Sequence, residues 1–261
     1  MRNLFTLLGC GTSTGVPLPG CACAVCRSDN PKNFRNRTSG LIRLASGHSI
    51  LIDAGPDLRH QAIKHGVMHV DSVLYTHAHA DHILGTDDLR AFNFTRKNRI
   101  TCYGTPETLQ IIRGTFPYIF TPNPAYAGGL VAQLDLYPIE NDSFTEIHGT
   151  MATFFPLPHG GITTTGVRIG ELGYATDSKG LTPRAAEILH EVPILFLDGL
   201  RWEAHNTHNS IHEAVEIARE LKAKKTYLIH TTHTVDYDEV SRQLPDGIEL
   251  GFDGLTVEFE S

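Results

Sequence analysis

Tyr75-Thr76-His77-Ala78-His79-Ala80-Asp81-His82 is the stretch of this 261-residue chain on which the reading of the fold turns. It completes a short run, residues 72–75, whose length and composition suit a buried strand. Four candidate ligands within six residues can converge only if the backbone turns at the strand's end. In extended backbone His77 and His79 share one face, and a turn into a helix carries Asp81 and His82 round to a second centre. Imidazole with carboxylate suits zinc, manganese or iron and suits calcium poorly. A solvated histidine-rich loop is the plain alternative. A complete H-x-H-x-D-H directly after a buried strand argues against it.

Working outward, short β-rich segments recur at residues 4–8, 41–44, 50–52, 152–155, 164–169, 194–197, 227–229 and 255–259. Helical periodicity covers residues 57–65, 106–114, 183–190, 211–221 and 236–244, with Thr182-Pro183 and Asn209-Ser210 as start signals. Early strands group like hairpins and later ones alternate with helices, which predicts an α/β (α+β) arrangement of sheets covered by helices on their outer faces. Residues 116–129 hold Pro117, Pro122, Pro124 and Gly128-Gly129 and read as a long loop. Candidate ligands fall on both sides of that loop, so residues 1–261 read as one domain.

Charge and composition exclude several classes. With 22 basic and 29 acidic side chains the formal charge is −7, which argues against a protein that coats nucleic acid through clustered Lys and Arg. The 41 % apolar content is enough for a large core, and no run approaches the roughly 18 apolar residues of a membrane span. The start, Met1-Arg2-Asn3-Leu4-Phe5-Thr6-Leu7-Leu8-Gly9, does not read as a signal peptide. Five cysteines are too few, and odd in number, for a disulfide framework. The expectation is a soluble, cytoplasmic protein with no membrane partner and no strong nucleic-acid signal.

The ordered histidines and aspartates resemble the metallo-β-lactamase fold superfamily of metallohydrolases. Its pattern asks for an upstream Asp in a turn, met by Leu51-Ile52-Asp53-Ala54-Gly55, and for a later histidine after a strand, met by Pro158-His159-Gly160. It then asks for an aspartate after a further strand, as in Tyr174-Ala175-Thr176-Asp177-Ser178, and a last histidine at a strand end, as in Tyr227-Leu228-Ile229-His230. The resemblance implies an αββα sandwich with two divalent ions, zinc or manganese, at one edge. It assigns His77, His79 and His159 to one ion, Asp81, His82 and His230 to the other, and Asp177 as the bridge. Asp53 is expected to orient a ligand imidazole through its other N–H.

Gly20-Cys21-Ala22-Cys23-Ala24-Val25-Cys26 supplies three soft ligands, and a closed tetrahedral zinc site needs a fourth. His233, three residues beyond His230, is the choice for it. Isolated Cys10 and Cys102 read as small buried hydrophobes. This combination is similar to a narrower branch, the phosphoribosyl cyclic phosphate phosphodiesterases of phosphonate utilisation, in which a C-x-C-x-x-C loop and a C-terminal histidine hold structural zinc. Gly251-Phe252-Asp253-Gly254 also matches that branch, and family likeness implies a homodimer.

Two ions sharing a hydroxide can attack phosphodiesters, thioesters, lactones or lactams alike. The discriminating stretch is Thr207-His208-Asn209-Ser210-Ile211, because an alkoxide leaving group needs a proton that an imidazole can donate. His208 is the candidate general acid, with His205 and His212 as nearby competitors, and Asp81 and Asp53 complete the catalytic set. Gly160-Gly161, Thr163, Thr164, Thr165 and Arg37 are candidate phosphate donors. The expected function is hydrolysis of a small cyclic phosphate or nucleotide-like diester. The alternatives are an RNA 3′-processing endonuclease, a thioester or lactam hydrolase, and a non-catalytic biosynthetic relative.

Overall fold

In the computed structural model, which describes residues 2–121 and 130–261, the apolar residues form three separate layers, and these set the architecture. Its strands are β1 (Asn3–Gly9), β2 (Ser39–Arg43), β3 (Ser49–Ile52), β4 (Ser72–Leu74), β5 (Ile100–Gly104), β6 (Leu134–Pro138) and β7 (Phe144–Ile147). They continue as β8 (Thr150–His159), β9 (Ile162–Ile169), β10 (Leu172–Ala175), β11 (Ile194–Asp198), β12 (Lys225–Ile229), β13 (Ile248–Leu250) and β14 (Thr256–Phe259). One seven-stranded sheet runs β14-β1-β2-β3-β4-β5-β6, the other β13-β12-β11-β10-β9-β8-β7. Helices α1 (Leu58–Lys64), α2 (Ala80–Ile83), α3 (Arg90–Arg96), α4 (Pro106–Thr115) and α5 (Pro117–Phe120) follow first-sheet strands. Helices α6 (Pro183–Leu189), α7 (Ile211–Glu220) and α8 (Tyr237–Ser241) follow second-sheet strands.

Strand periodicity explains the layering. In β3, Ile50 and Ile52 join Phe5, Phe154 and Phe196 between the sheets, whereas Leu51 faces the other way to pack with Leu58 of α1 and Ile112 of α4. In β11, Phe196 faces the inter-sheet core while Leu195 and Leu197 meet Leu189 of α6 and Ile211 of α7. Both faces are therefore covered, and such strands read as continuous apolar runs. The outcome is the expected αββα sandwich. No helix among the described residues is long and apolar enough to cross a membrane.

Three local readings are adjusted. The segment read as a helix over 236–244 keeps α-helical form only over Tyr237–Ser241, with Pro245 beyond it unable to continue a helix. The loop read at 116–129 opens with α5, and residues 122–129 lie outside the described residues. Strand β8 runs through Pro156 and Pro158 to His159, well past residue 155. The N–H of Phe154 bonds to Ser143 beside β7, so Pro156 and Pro158 place their missing N–H on that same side, beyond where β7 pairs. Proline is tolerated in a strand where no partner N–H bond is needed.

Candidate active site and metal centres

Parallel register brings the functional residues to one edge. Ala175 of β10, Leu197 of β11 and Leu228 of β12 lie in register, so Asp177, Asp198 and His230 emerge at the C-terminal ends of neighbouring strands. In the facing sheet, Ile52 pairs with Leu74, which sets Asp53 beside Thr76 and His77. The turn after Asp53 packs tightly on α2: a Cβ on Gly55 would meet the Asp81 carbonyl oxygen at 2.1 Å. Asp53, Asp177 and His230 all hold left-handed backbone, φ 60°, 53° and 62°. Such strain in non-glycine residues gathers where side chains must be aimed.

Three of the imidazoles, His77, His82 and His159, are aimed by a partner at Nδ1. Asp53 accepts from His82 Nδ1 at 2.7 Å and from the Thr76 N–H and Oγ1–H at 2.8 Å. His159 Nδ1 donates to the Thr207 carbonyl at 2.8 Å, and Thr76 Oγ1 lies 3.0 Å from His77 Nδ1. These contacts leave the Nε2 atoms free, and Nε2 of His77, His82 and His230 is buried without a hydrogen bond.

The donors fall into two clusters. His77, His79 and His159 form one; Asp81, His82, Asp177 and His230 form the other. Asp177 also groups with His159 and His208, so its carboxylate lies between the clusters. His82 Nε2 stands 3.2 Å from Asp81 and 3.3 Å from Asp177, and His230 Nε2 stands 3.3 Å from Asp177, with no hydrogen bond made by either nitrogen. About 3.3–3.4 Å is the donor–donor edge of a tetrahedron built on nitrogen and oxygen bonds of about 2.0–2.1 Å. The lone pairs converge on common points, not on one another, and the residues fit divalent cations.

Charge agrees. Burial alone would raise the Asp177 carboxyl, but His230 and His82 hold it well below the usual carboxylate range. Burial likewise opposes the charge on His82, yet Asp177 and Asp53 lift that imidazole well above its ordinary value. His77, lacking such a partner, is pushed well down by burial and then by His82, and so keeps a free lone pair. Buried carboxylates with this much attraction for positive charge need a cation, a proton in the simplest case.

A separate centre lies where the cysteine loop meets the segment after β12. Cys21, Cys23, Cys26 and His233 form one donor group, with His233 Nδ1 3.6 Å from Cys21 Sγ and 3.5 Å from Cys23 Sγ. A tetrahedral site with zinc–sulfur bonds of about 2.3 Å has a sulfur–nitrogen edge of about 3.6 Å. The four residues chosen from the sequence are the four brought together. Cys10 and Cys102 are fully buried and stand apart.

His208 is buried over the first centre, its ring 4.7 Å from His159 and stacked 4.7 Å from His230. Its Nδ1 bonds to Asp198 Oδ2 at 2.6 Å, and Asp198, fully buried, also accepts the Ser178 N–H. Asp198 escaped the sequence reading. Its signal was Leu197-Asp198-Gly199, a strand end entering a tight turn as at Asp53. His205 lies 5.2 Å from His208, its Nδ1 facing the Thr207 N–H, while His212 packs against Trp202 with the rings tilted by 54°. The phosphate candidates divide. Thr164 Oγ1 supports the Asp177 carbonyl, and the Arg37 guanidinium is taken up by Asp57 and the Ser13 carbonyl.

An αββα sandwich with paired histidine–aspartate clusters at the C-terminal strand edge defines a metallohydrolase class. Residues 48–231 match the β-lactamase superfamily domain, and the chain belongs to that metallo-β-lactamase-fold family of hydrolases. Within it the chain falls with the PhnP branch: a crystal structure described as a new diphosphatase from the PhnP family superposes with TM-score 0.92 at 39 % identity, covering 99 % of this chain and 98 % of that one. An octanoyltransferase of Porphyromonas gingivalis is 37 % identical over 251 residues, 95 % of this chain and 50 % of that protein. A ribonuclease Z of Bradyrhizobium sp. is 30 % identical over 115 residues, 42 % of this chain and 33 % of that protein. This chain thus spans a third to a half of these curated relatives.

Proposed function

We propose that the protein is a metal-dependent phosphodiesterase for a small cyclic phosphate or nucleotide-like diester. The observation that carries this reading is the Asp198–His208 pair, an oriented proton donor beside two divalent-cation clusters. His77, His79 and His159 would hold one cation, Asp81, His82 and His230 the other, with Asp177 shared, while the cysteine centre would hold structural zinc. Cations held there supply Lewis acidity and activate water near neutral pH. Asp198 accepts from Nδ1 and fixes the ring, so Nε2 is the atom left to face a leaving group and hand over a proton. A departing alkoxide needs that proton, whereas the thiolate of a thioester leaves without it. A homodimer belongs to the proposal and is tested by sedimentation.

The name octanoyltransferase belongs to a protein of twice this length, and the donors here are imidazoles and carboxylates. A second reading, RNA 3′-end processing, draws on the ribonuclease Z match and is opposed by the −7 charge. One experiment separates the readings. Protein loaded with manganese or zinc is assayed on cyclic and linear phosphodiesters, a transfer-RNA precursor, an octanoyl thioester and a lactam. His208→Ala should slow diesters with alkoxide leaving groups by about 10²–10⁴-fold, and hardly change a nitrophenyl ester. Equal losses on the two esters would remove the proton-donor role, and turnover confined to the thioester would overturn the proposal.

A further inference from the structure

Arg35 is the largest of the fully buried side chains among the described residues, 1 % exposed. Its guanidinium makes four hydrogen bonds, all to neutral oxygens. Nη1 donates to the Thr232 carbonyl at 2.9 Å, Nη2 to the Val235 carbonyl at 2.6 Å and to Asn33 Oδ1 at 2.9 Å, and Nε to the Lys32 carbonyl at 3.2 Å. Among the described residues it forms no ion pair within 4.0 Å. A buried cation without a carboxylate is costly, and an apolar side chain would fill the same volume without that cost. What only the guanidinium supplies is a rigid fork of donors.

That fork has a place in the fold. Thr232 and Val235 flank His233, the histidine of the cysteine centre, and the segment begins at His230 of the other centre. The Arg35 backbone exchanges hydrogen bonds with Val16 at 2.8 Å in both directions. Two residues on, the Leu18 N–H meets Cys26 Sγ at 3.3 Å. One residue therefore ties the entry of the cysteine loop to the segment carrying His230 and His233. The segment is also tied by backbone bonds, from the Thr231 N–H to Cys10, from the Thr12 N–H to Thr231, and from the Thr232 N–H to Leu200, and at His233 by Cys21 and Cys23, whose Sγ atoms lie 3.6 and 3.5 Å from its Nδ1.

We propose that Arg35 is a positioning residue that makes the two metal centres interdependent. It holds the segment from His230 to Val235 in one conformation, so an ion seated on Cys21, Cys23, Cys26 and His233 steadies His230, and the reverse. The proposal rests on the reading of that cysteine cluster as a metal centre.

The test is cobalt(II) titration of the metal-stripped full chain. Thiolate-to-cobalt absorption reports the cysteine centre, and chelator competition reports the remaining bound ions. Arg35→Lys keeps the charge and loses the fork. It should weaken cobalt at both centres by about 10–100-fold, the usual scale for a partner that orients ligands. Cys23→Ser should weaken the histidine–aspartate centre in the wild-type background and add little in the Arg35→Lys background, as shared coupling requires. Wild-type affinity at the histidine–aspartate centre of Arg35→Lys, with or without a weakened thiolate band, would overturn the coupling. A wild type without a thiolate band would instead sink the reading of the cysteine centre and the proposal with it. Should Arg35→Lys not fold, Asn33→Ala removes one acceptor of the fork, and smaller losses at both centres are expected. Unchanged affinities in that variant would also overturn the proposal.

Discussion

The Asp53 carboxylate is fully committed to one imidazole and one threonine, and that commitment makes its chemistry testable. In Asp53→Asn the amide can keep its oxygen on the Thr76 N–H, but its NH₂ then faces His82 Nδ1 and makes that atom an acceptor. The proton would move to Nε2, the atom needed for a cation. Metal affinity should fall by about 10–100-fold, read by chelator competition, with the circular dichroism spectrum unchanged; unaltered affinity would show that Asp53 only satisfies its turn. Gly160 offers a second test. Its φ is +59°, and a Cβ there would meet Thr207 Cγ2 at 2.6 Å. Gly160→Ala should displace the segment that carries His208, lowering kcat on alkoxide diesters while both metals stay bound; a normal kcat would mean the segment adapts freely.

At the scale of elements, helix α7 is where the site is anchored. Ser210 Oγ accepts from the Glu213 N–H, and the Glu213 side chain reaches back to the Ser210 N–H, a reciprocal cap two residues after His208. Lys179 pairs with the same glutamate at 2.7 Å, which ties the turn after Asp177 to this helix start. Ser210→Ala should cost about 1 kcal/mol of stability by thermal or denaturant melting, with a further loss of kcat because His208 loosens; a stability loss with kcat intact would separate the helix from the site. The Asn209-Ser210 start signal was legible because capping is local chemistry. Edge strand β7 was not, since of Phe144–Ile147 only Ile147 is buried and the strand pairs on one side only.

Across the whole molecule, the buried site governs how stability responds to metal and pH. In metal-free protein His82 and His230 have raised pKa values, burial opposing and the carboxylates, Asp177 foremost, outweighing it. That contribution is complete below the unfolded value of about 6.5 and is lost as pH rises through the folded values. His77 and His159 are lowered, mainly by burial, so their effect runs the other way and stability falls as pH drops below about 6.5. The metal-free protein should therefore melt highest near pH 6.5, and the stabilisation gained on adding metal should grow from pH 6.5 to pH 9. A metal-induced shift in melting temperature that is flat over this range would contradict the assignment of His82 and His230 as ligands.

What the sequence by itself determined is everything that depends on near neighbours along the chain. His77, His79, Asp81 and His82 sit within one strand-to-helix turn, Cys21, Cys23 and Cys26 within one loop, and their spacing alone limits what they can bind. The order of His159, Asp177 and His230 was equally visible, because each closes an apolar strand. Only the tertiary structure decided the pairings that cross the fold. Asp198 meets His208 because β10, β11 and β12 run parallel in register, and Arg35 meets Thr232 and Val235 across nearly 200 residues of chain. A lone buried aspartate or arginine has no periodicity to betray it. Its partner is selected by which strands lie side by side, and that is settled by burial of both faces of two sheets at once.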